Sequence, residues 1–218
     1  MKIVAISDTH SYHRKLTIPD GDILIHSGDI THRGELSIMK DFSNWLKELP
    51  HKNKVIVFGN HELGLESGPN RNDAINMIKD ADAHYLENSA VEIDGYKIYG
   101  SPCTPRFYDW EWNRNRGKDI AMEWAKIPND TEILITHGPG WGVLDLIENN
   151  LSNKGRDLHQ GCEELTKRIK DLKNLKAHFF GHLHSGYGMT KIDNVVYANA
   201  ACCTEQYKPT NPPIIVEI

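Results

Sequence analysis

The sequence predicts an α/β fold, and three observations support this class. Short apolar runs of strand length alternate with segments of helical periodicity along the chain. The runs are rich in β-branched residues, which favour strands. The chain has 218 residues, of which 39% are hydrophobic and 25% charged, as is typical of one globular domain. We therefore expect a single domain over residues 1–218.

Six apolar runs predict the strands of the sheet. They cover residues 2–6, 22–25, 54–58, 96–99, 132–136 and 177–180. Residues 189–192, 195–198 and 214–218 predict further, antiparallel strands, with Asp193 and Asn194 in a turn. Polar stretches at residues 64–72, 104–116 and 149–160 predict long surface loops, which often build functional sites.

Helical periodicity is clearest between the second and third predicted strands. Apolar side chains recur there at helical spacing, at Leu36, Met39, Phe42, Trp45, Leu46 and Leu49, and Pro50 ends the run. Weaker helical patterns cover residues 73–79, 117–127 and 162–172. Each of these helices is expected to bury its apolar face against a sheet.

Charge and apolar patterning exclude several classes of protein. The formal net charge is −5 and no basic block is present, which disfavours a long nucleic acid as partner. No apolar run is long enough for a membrane span, and the first residues do not resemble a secretory leader. The four cysteines lack Cys-x-x-Cys spacing and are too few for a disulfide scaffold. We therefore expect a cytoplasmic protein.

Side chains able to bind metal follow five of the predicted strands. Each alone has an ordinary explanation as a helix cap or turn residue, but five in succession indicate a shared site. Carboxylate, imidazole and amide donors suit Mn²⁺, Fe or Zn²⁺, and one aspartate can bridge two ions. The sequence therefore predicts a dinuclear site. Its candidate residues are Asp8, His10, Asp29, Asn60, His61, His137, His182 and His184.

Five motifs resemble the signature of the calcineurin-like metallophosphoesterases. They are Asp8-Thr-His10, Gly28-Asp29, Gly59-Asn-His-Glu62, Thr136-His137-Gly138 and Gly181-His-Leu-His184. The resemblance implies two mixed β-sheets packed face to face and flanked by helices, a four-layer sandwich. It also implies two ligand sets that share Asp29. Asp8, His10, Asp29 and His184 would hold one ion, and Asp29, Asn60, His137 and His182 the other.

Further segments narrow the resemblance to the metallophosphoesterase-domain proteins first described from animal brain, which act as cyclic-nucleotide phosphodiesterases. These segments lie at residues 100–105, 110–113, 159–165 and 185–188. Some members of that group replace the first histidine of the Gly-His-x-His motif by glycine, whereas His182 is present here. We therefore expect two divalent transition metal ions, manganese first, with Fe, Zn, Co or Ni as alternatives.

The resemblance also implies a mechanism. Two cations would neutralise the charge of the phosphate and turn a shared water into hydroxide near neutral pH. His61 would be the general acid that protonates the leaving oxygen, with Glu62 orienting it. The alternative is that His61 is a structural imidazole held by a neighbour.

Two departures from the related protein phosphatases bear on the substrate. Where those enzymes have Asp-Arg-Gly, and an arginine before the third motif, this chain has His32-Arg33-Gly34 and Phe58. Arg33 is expected to contact phosphate, but the missing partners argue against phosphoprotein substrates. Trp112, in the predicted loop at residues 104–116, is expected to stack on a nucleobase, with loop anchoring as the alternative.

These observations predict a phosphodiesterase acting on small diesters such as cyclic nucleotides. Its expected partner is a small phosphoester, a nucleotide in the first place, and neither a membrane nor a long nucleic acid. A monomer or a homodimer is expected. The alternatives are a phosphomonoesterase or phosphoprotein phosphatase with the same dinuclear centre, and a noncatalytic interaction module on the same fold. Intact ligands and His61 argue against the noncatalytic module.

Overall fold

A computed structural model describes residues 1–147 and 158–218. Within these residues the strands are β1 (Lys2–Ile6), β2 (Ile23–His26), β3 (Asn53–Ile56), β4 (His84–Tyr85), β5 (Ser89–Ile93), β6 (Tyr96–Ser101), β7 (Thr104–Pro105), β8 (Asn113–Arg114), β9 (Ile133–Thr136), β10 (Ala177–Phe180), β11 (Gly188–Ile192), β12 (Val195–Asn199) and β13 (Ile214–Glu217). The α-helices are α1 (Leu36–Glu48), α2 (Arg71–Lys79), α3 (Lys118–Trp124) and α4 (Glu163–Asp171).

The strands form two large mixed sheets. The first has the order β13-β1-β2-β3-β4, in which only β13 runs antiparallel to its neighbour. The second has the order β11-β12-β10-β9-β6-β5, with antiparallel pairs only at its two edges. Parallel strands therefore occupy the centre of both sheets, and their carboxyl ends are where ligands gather in such folds.

Alternating side chains along the central strands bury both faces of each sheet. In β1, Ile3 and Ala5 face the other sheet, where they meet residues such as Ile133 and Phe179. Val4 of the same strand faces the opposite way, toward the layer of α1 and α2. Helices α3 and α4 cover the outer face of the second sheet. The predicted four-layer arrangement of two mixed sheets flanked by helices is confirmed.

Helix α1 shows how the sequence sets these layers. Its buried side chains include Met39, Phe42, Trp45 and Leu46, which share one face of the helix. The helix ends at Glu48 because Leu49 precedes Pro50 and takes an extended conformation. The apolar face packs on the outer side of the first sheet.

The observed elements differ from the predicted ones in several places. Strand β5 was not predicted, because its side chains are mostly exposed and give little apolar signal. Helix α2 begins at Arg71, inside the predicted loop at residues 64–72. The predicted loop at residues 104–116 contains the two-residue strands β7 and β8. Most of the predicted loop at residues 149–160 lies outside the described residues. Among those described, no helix combines the length and apolar character that a membrane span requires.

Candidate metal centre and substrate pocket

Seven predicted ligands lie in loops that leave the carboxyl ends of parallel strands. The strands belong to both sheets, and a bridge between Ser7 and Ala201 links the first sheet to the loop after β12 at this end. We call the seven residues the ligand cluster. They are Asp8 and His10 after β1, Asp29 after β2, Asn60 after β3, His137 after β9, and His182 and His184 after β10.

The loops that carry the ligand cluster have unusual backbone geometry. Asp8, His10, Asp29 and His182 have φ angles of 51°, 41°, 58° and 68°. Residues other than glycine rarely adopt this left-handed conformation, and such strain is concentrated at functional sites. Gly181 allows the chain to pass close to the Asp8 carboxylate, where a Cβ atom would collide with Oδ2.

The first group of potential ligand atoms belongs to Asp8, His10 and His184, whose ligand atoms all lie within 4.8 Å of one another. His184 Nε2 is 3.2 Å from Asp8 Oδ1 and 3.3 Å from His10 Nε2. Asp29 lies beside this group, since its Oδ2 is 3.9 Å from His10 Nε2. The four residues predicted to share one ion are therefore close together.

The second group contains Asp29, His137 and His182, again within 4.8 Å of one another. His137 Nε2 is 3.3 Å from Asp29 Oδ1 and 2.9 Å from the amide oxygen of Asn60. The two oxygens of Asp29 thus face different groups, with Oδ1 toward His137 and Oδ2 toward His10. This is the arrangement expected of a carboxylate that bridges two ions.

Backbone carbonyl groups fix the orientation of the imidazole rings. His10 Nδ1 donates to the carbonyl oxygen of Thr31 at 3.2 Å. His137 Nδ1 donates to the carbonyl oxygen of Ser27, and His184 Nδ1 to that of Thr204, both at 2.9 Å. Each ring therefore directs Nε2 toward the centre of the cluster. Such outer contacts are usual around metal-binding histidines, where they set the tautomer and the ring orientation.

The electrostatics of the cluster favour a cation at each group. Burial raises the pKa of Asp8, but His184 outweighs burial and holds this pKa well below its usual range. Burial lowers the pKa of His137, yet Asp29 more than offsets it and raises the pKa to about 9. For His184, Asp8 likewise outweighs burial and raises the pKa. The buried carboxylates thus attract positive charge at the positions where ligand atoms converge.

This donor set fits two divalent transition metal ions. The buried carboxylates, the inward Nε2 atoms and the Asn60 amide oxygen are the donor types that such ions bind in proteins. A cation bound at the first group would take the place of the extra proton on His184, and a cation at the second group that of the extra proton on His137. The cluster therefore has the chemistry of a dinuclear site.

Glu62 holds two ligand loops together, a role that differs from the predicted one. Its buried carboxylate accepts hydrogen bonds from the backbone N–H groups of Gly59, Asp29 and Thr31, at 2.6, 3.1 and 2.9 Å. It therefore ties the loop after β2 to the loop after β3. His61 is oriented instead by His32, whose carbonyl oxygen accepts from His61 Nδ1 at 2.9 Å.

His61 lies between the ligand cluster and a pocket. Its Nε2 is 3.9 Å from Asp29 Oδ2, and its ring contacts His10 and Trp110 at centroid distances of 4.6 and 4.3 Å. The ligand atoms of His61, His10 and Asp29 also lie within 4.8 Å of one another. On distance alone, His61 fits the role of a metal ligand as well as the predicted role of general acid. The metal content of a His61→Ala variant distinguishes the two roles.

The pocket beside His61 has a volume of about 340 Å³. Aromatic side chains from two segments line it, namely Phe107 and Trp110 from residues 104–116 and Tyr207 from the C-terminal part of the chain. Arg106 and Arg116 also line it and are paired with Asp109 and Glu163. The pocket thus offers aromatic surfaces next to the candidate ligands.

Two predicted substrate contacts are placed elsewhere. Trp112 is 1% exposed and packs in the core beside Phe58, so the prediction that it stacks on a base was wrong and the loop-anchoring alternative fits. Trp110, two residues earlier, takes the position at the pocket. Arg33 is exposed and is not among the residues that line the pocket.

Residues 104–116, which we call the aromatic loop, are held against the His61 segment by carboxylates. Glu111 accepts hydrogen bonds from the N–H groups of Gly64 and Glu66, at 2.8 and 3.2 Å. Glu66 in turn accepts from the N–H of Trp112 at 2.6 Å. These contacts fix Trp110 over His61, and none of them touches the ligand cluster.

Comparisons with known proteins agree with this geometry. The family model described as calcineurin-like phosphoesterase matches residues 1–186. The human metallophosphoesterase domain-containing protein 1 is 35% identical over 237 aligned positions, which cover 100% of this chain and 71% of that protein. A UPF0046 protein of Caenorhabditis elegans is 36% identical over 228 positions, which cover 100% of this chain and 75% of that protein.

A solved structure supports the same fold. The crystal structure of TT1561 of Thermus thermophilus has a TM-score of 0.62 and 14% sequence identity, and the match covers 92% of this chain and 88% of that one. At this level of identity the likeness concerns the fold alone. It agrees with the two mixed sheets described above.

Proposed function

This chain belongs to the calcineurin-like phosphoesterase family, as its motifs predicted, and we propose that it is a phosphodiesterase for small diesters such as cyclic nucleotides. The family consists of metal-dependent hydrolases of phosphoesters, so the reaction class is established and the preference for diesters is the proposal. The observation that carries it is the ligand cluster with His61 placed between Asp29 and an aromatic pocket.

The proposed ligand sets are the two that the sequence motifs imply. Asp8, His10, Asp29 and His184 hold one ion, and Asp29, Asn60, His137 and His182 hold the other, with manganese as the expected metal. When bound, the two cations neutralise phosphate charge and lower the pKa of a water that serves as nucleophile. Because the ligands come from both sheets, we propose that residues 1–218 act as a single domain.

His61 is proposed as the general acid. Its Nδ1 hydrogen is engaged by the carbonyl oxygen of His32, so the proton available for transfer is on Nε2. That proton passes from Nε2 to the oxygen of the leaving alcohol as its bond to phosphorus breaks. The ring, which is cationic while both nitrogens carry hydrogen, thereby becomes neutral and keeps its hydrogen bond to His32.

The charges around the pocket favour diesters. A diester has one negative charge and a monoester dianion has two, so a monoester gains more from additional cations near the metals. Arg33 is not among the pocket-lining residues, and Phe58 is buried in the core. Arg106 and Arg116 line the pocket but are paired with Asp109 and Glu163. Apart from the protonated His61, the described residues thus offer the phosphate little positive charge beyond the metals.

The aromatic side chains extend the proposal to nucleotides. Phe107 is 55% exposed and Trp110 lies against His61, where the leaving group must be placed for protonation. Stacking of a base on such a surface contributes about 1–3 kcal/mol. A cyclic nucleotide would thus place its sugar oxygen at His61 and its base on the aromatic loop.

The test is a substrate panel with metal-free protein reloaded with Mn²⁺. The panel contains bis-p-nitrophenyl phosphate, 2′,3′- and 3′,5′-cyclic AMP, p-nitrophenyl phosphate and AMP. The proposal predicts higher kcat/KM for a diester than for either monoester, and no turnover without metal. A higher kcat/KM for AMP than for every diester would replace the proposal by the phosphomonoesterase alternative.

A further inference from the structure

Tyr207 completes the substrate pocket from a part of the chain that the family motifs do not include. The match to the family model ends at residue 186. Tyr207 follows β12 by eight residues and lines the same pocket as Asp29, His61 and His184. Its ring contacts His10, His184 and His61 at centroid distances of 4.8, 5.5 and 6.3 Å.

The position of Tyr207 is tied to that of a candidate ligand. The carbonyl oxygen of Thr204 accepts hydrogen bonds from both His184 Nδ1 and the N–H of Tyr207, at 2.9 and 2.8 Å. Tyr207 also has a φ angle of 55°, in the left-handed region that tyrosine rarely adopts. A strained conformation held against a ligand by a shared acceptor indicates a functional side chain.

The hydroxyl of Tyr207 is available to a substrate. Within residues 1–147 and 158–218 no group forms a hydrogen bond with it, and the side chain is 41% exposed at the pocket. By contrast, the hydroxyl of Tyr187 in the same region donates to the carbonyl oxygen of Pro212. A phenol O–H is a hydrogen-bond donor that carries no charge.

We propose that the Tyr207 hydroxyl donates a hydrogen bond to a non-bridging oxygen of the bound phosphate, which makes Tyr207 a substrate-binding residue. This proposal rests on the proposed function and deepens it. A neutral donor at this position, instead of a cation, supports a monoanionic diester without the additional charge that a dianionic monoester requires.

The test compares Tyr207→Phe with the matched control Tyr96→Phe, which removes a hydroxyl at the amino end of β6, far from the strand ends that carry the ligands. A hydrogen bond to a charged acceptor predicts a fall of about 10–100-fold in kcat/KM for bis-p-nitrophenyl phosphate in Tyr207→Phe. The inhibition constant of inorganic phosphate should rise by a similar factor. Bound Mn²⁺ and Tm should match the wild type, and Tyr96→Phe should change nothing.

Two further variants separate the effect of the hydroxyl from the effect of the ring and from the effect of charge. If Tyr207→Phe behaves as wild type while Tyr207→Ala loses activity, only the ring matters and the proposal is overturned. Tyr207→Arg should raise the ratio of p-nitrophenyl phosphate to bis-p-nitrophenyl phosphate turnover at least about 10-fold. An unchanged ratio would overturn the argument from charge.

Failure of the Tyr207 proposal can be distinguished from failure of the proposed function. If wild-type protein prefers p-nitrophenyl phosphate, the diesterase proposal fails. The inhibition constant of inorganic phosphate in Tyr207→Phe still decides whether the hydroxyl contacts phosphate. An unchanged constant together with unchanged kcat/KM would overturn the Tyr207 proposal in either case.

Discussion

The ligand cluster and the aromatic loop meet at His61, but they are held in different ways. Backbone carbonyls fix the rings of His10, His137 and His184 from behind, and the cluster is largely buried. The aromatic loop is held by the carboxylates of Glu66 and Glu111, and Phe107 remains half exposed. The difference indicates that the reaction chemistry is built into the sheets, whereas substrate selection depends on side chains that can change without disturbing the metals.

The largest expected effect comes from removing the proposed bridge. Asp29→Ala should abolish turnover and lower bound manganese from two ions per chain to at most one, because both groups of ligand atoms share this carboxylate. Metal analysis and activity measure the two losses. Asp41→Asn, on an exposed ion pair with Arg14, is the control and should keep both ions. Full activity of Asp29→Ala would contradict the proposal that Asp29 bridges two ions.

His61→Ala tests the residue where the two regions meet. Loss of a general acid predicts a fall of about 10²–10⁴-fold in turnover of a diester with a poor leaving group, with unchanged metal content. The loss should be smaller with p-nitrophenyl esters, since an aryl leaving group needs less protonation. Equal losses with alkyl and aryl esters would reject the acid role, and loss of a metal ion would make His61 a ligand.

The two neighbouring tryptophans should respond in opposite ways. Trp112→Ala removes a fully buried ring and should lower the free energy of unfolding by about 3–5 kcal/mol. Trp110→Ala should leave stability nearly unchanged and raise KM for 2′,3′-cyclic AMP by about 5–100-fold, with a much smaller effect on bis-p-nitrophenyl phosphate. Chemical denaturation and steady-state kinetics measure these changes. If Trp110→Ala hurts both substrates alike, the aromatic loop does not select the base.

The two carboxylates that hold the loops should give a moderate effect at the ligand cluster and the smallest effect at the aromatic loop. Both oxygens of Glu62 accept from N–H groups, so the amide of Glu62→Gln would place a donor against donors. Affinity for Mn²⁺ should fall by about 10–100-fold, the usual effect of removing an outer contact of a metal site. Glu111→Gln should leave Mn²⁺ affinity unchanged and raise KM for the nucleotide only about 2–10-fold, as the loss of one hydrogen bond predicts. If metal titration shows that Glu62→Gln and Glu111→Gln lose Mn²⁺ affinity equally, the ligand cluster and the aromatic loop are not held independently.

The sequence predicted the ligand cluster because its geometry follows from strand ends. Asp8, Asp29 and His137 lie within three residues of the end of an apolar strand, and parallel strands bring those positions together. Glu62 was predicted to orient His61, but it binds backbone N–H groups of Asp29 and Gly59 instead. A sequence pattern gives no sign of contacts with backbone groups.

The pocket was harder to predict for a physical reason. Trp110 and Trp112 are two residues apart in a loop, and the ring of Trp112 packs against Phe58 in the core while that of Trp110 lies against His61. Tyr207 reaches the site because the loop after β12 joins β1 through the bridge of Ser7 and Ala201. Such contacts depend on tertiary structure, and hydrophobic periodicity does not report them.

The dinuclear site is tested most directly by anomalous scattering from crystals of the protein soaked in Mn²⁺. A dinuclear site predicts two manganese peaks per chain, on either side of Asp29. One peak should contact Asp8, His10 and His184, and the other Asn60, His137 and His182. A single peak, or a peak bound by His61, would contradict the dinuclear site with a free general acid.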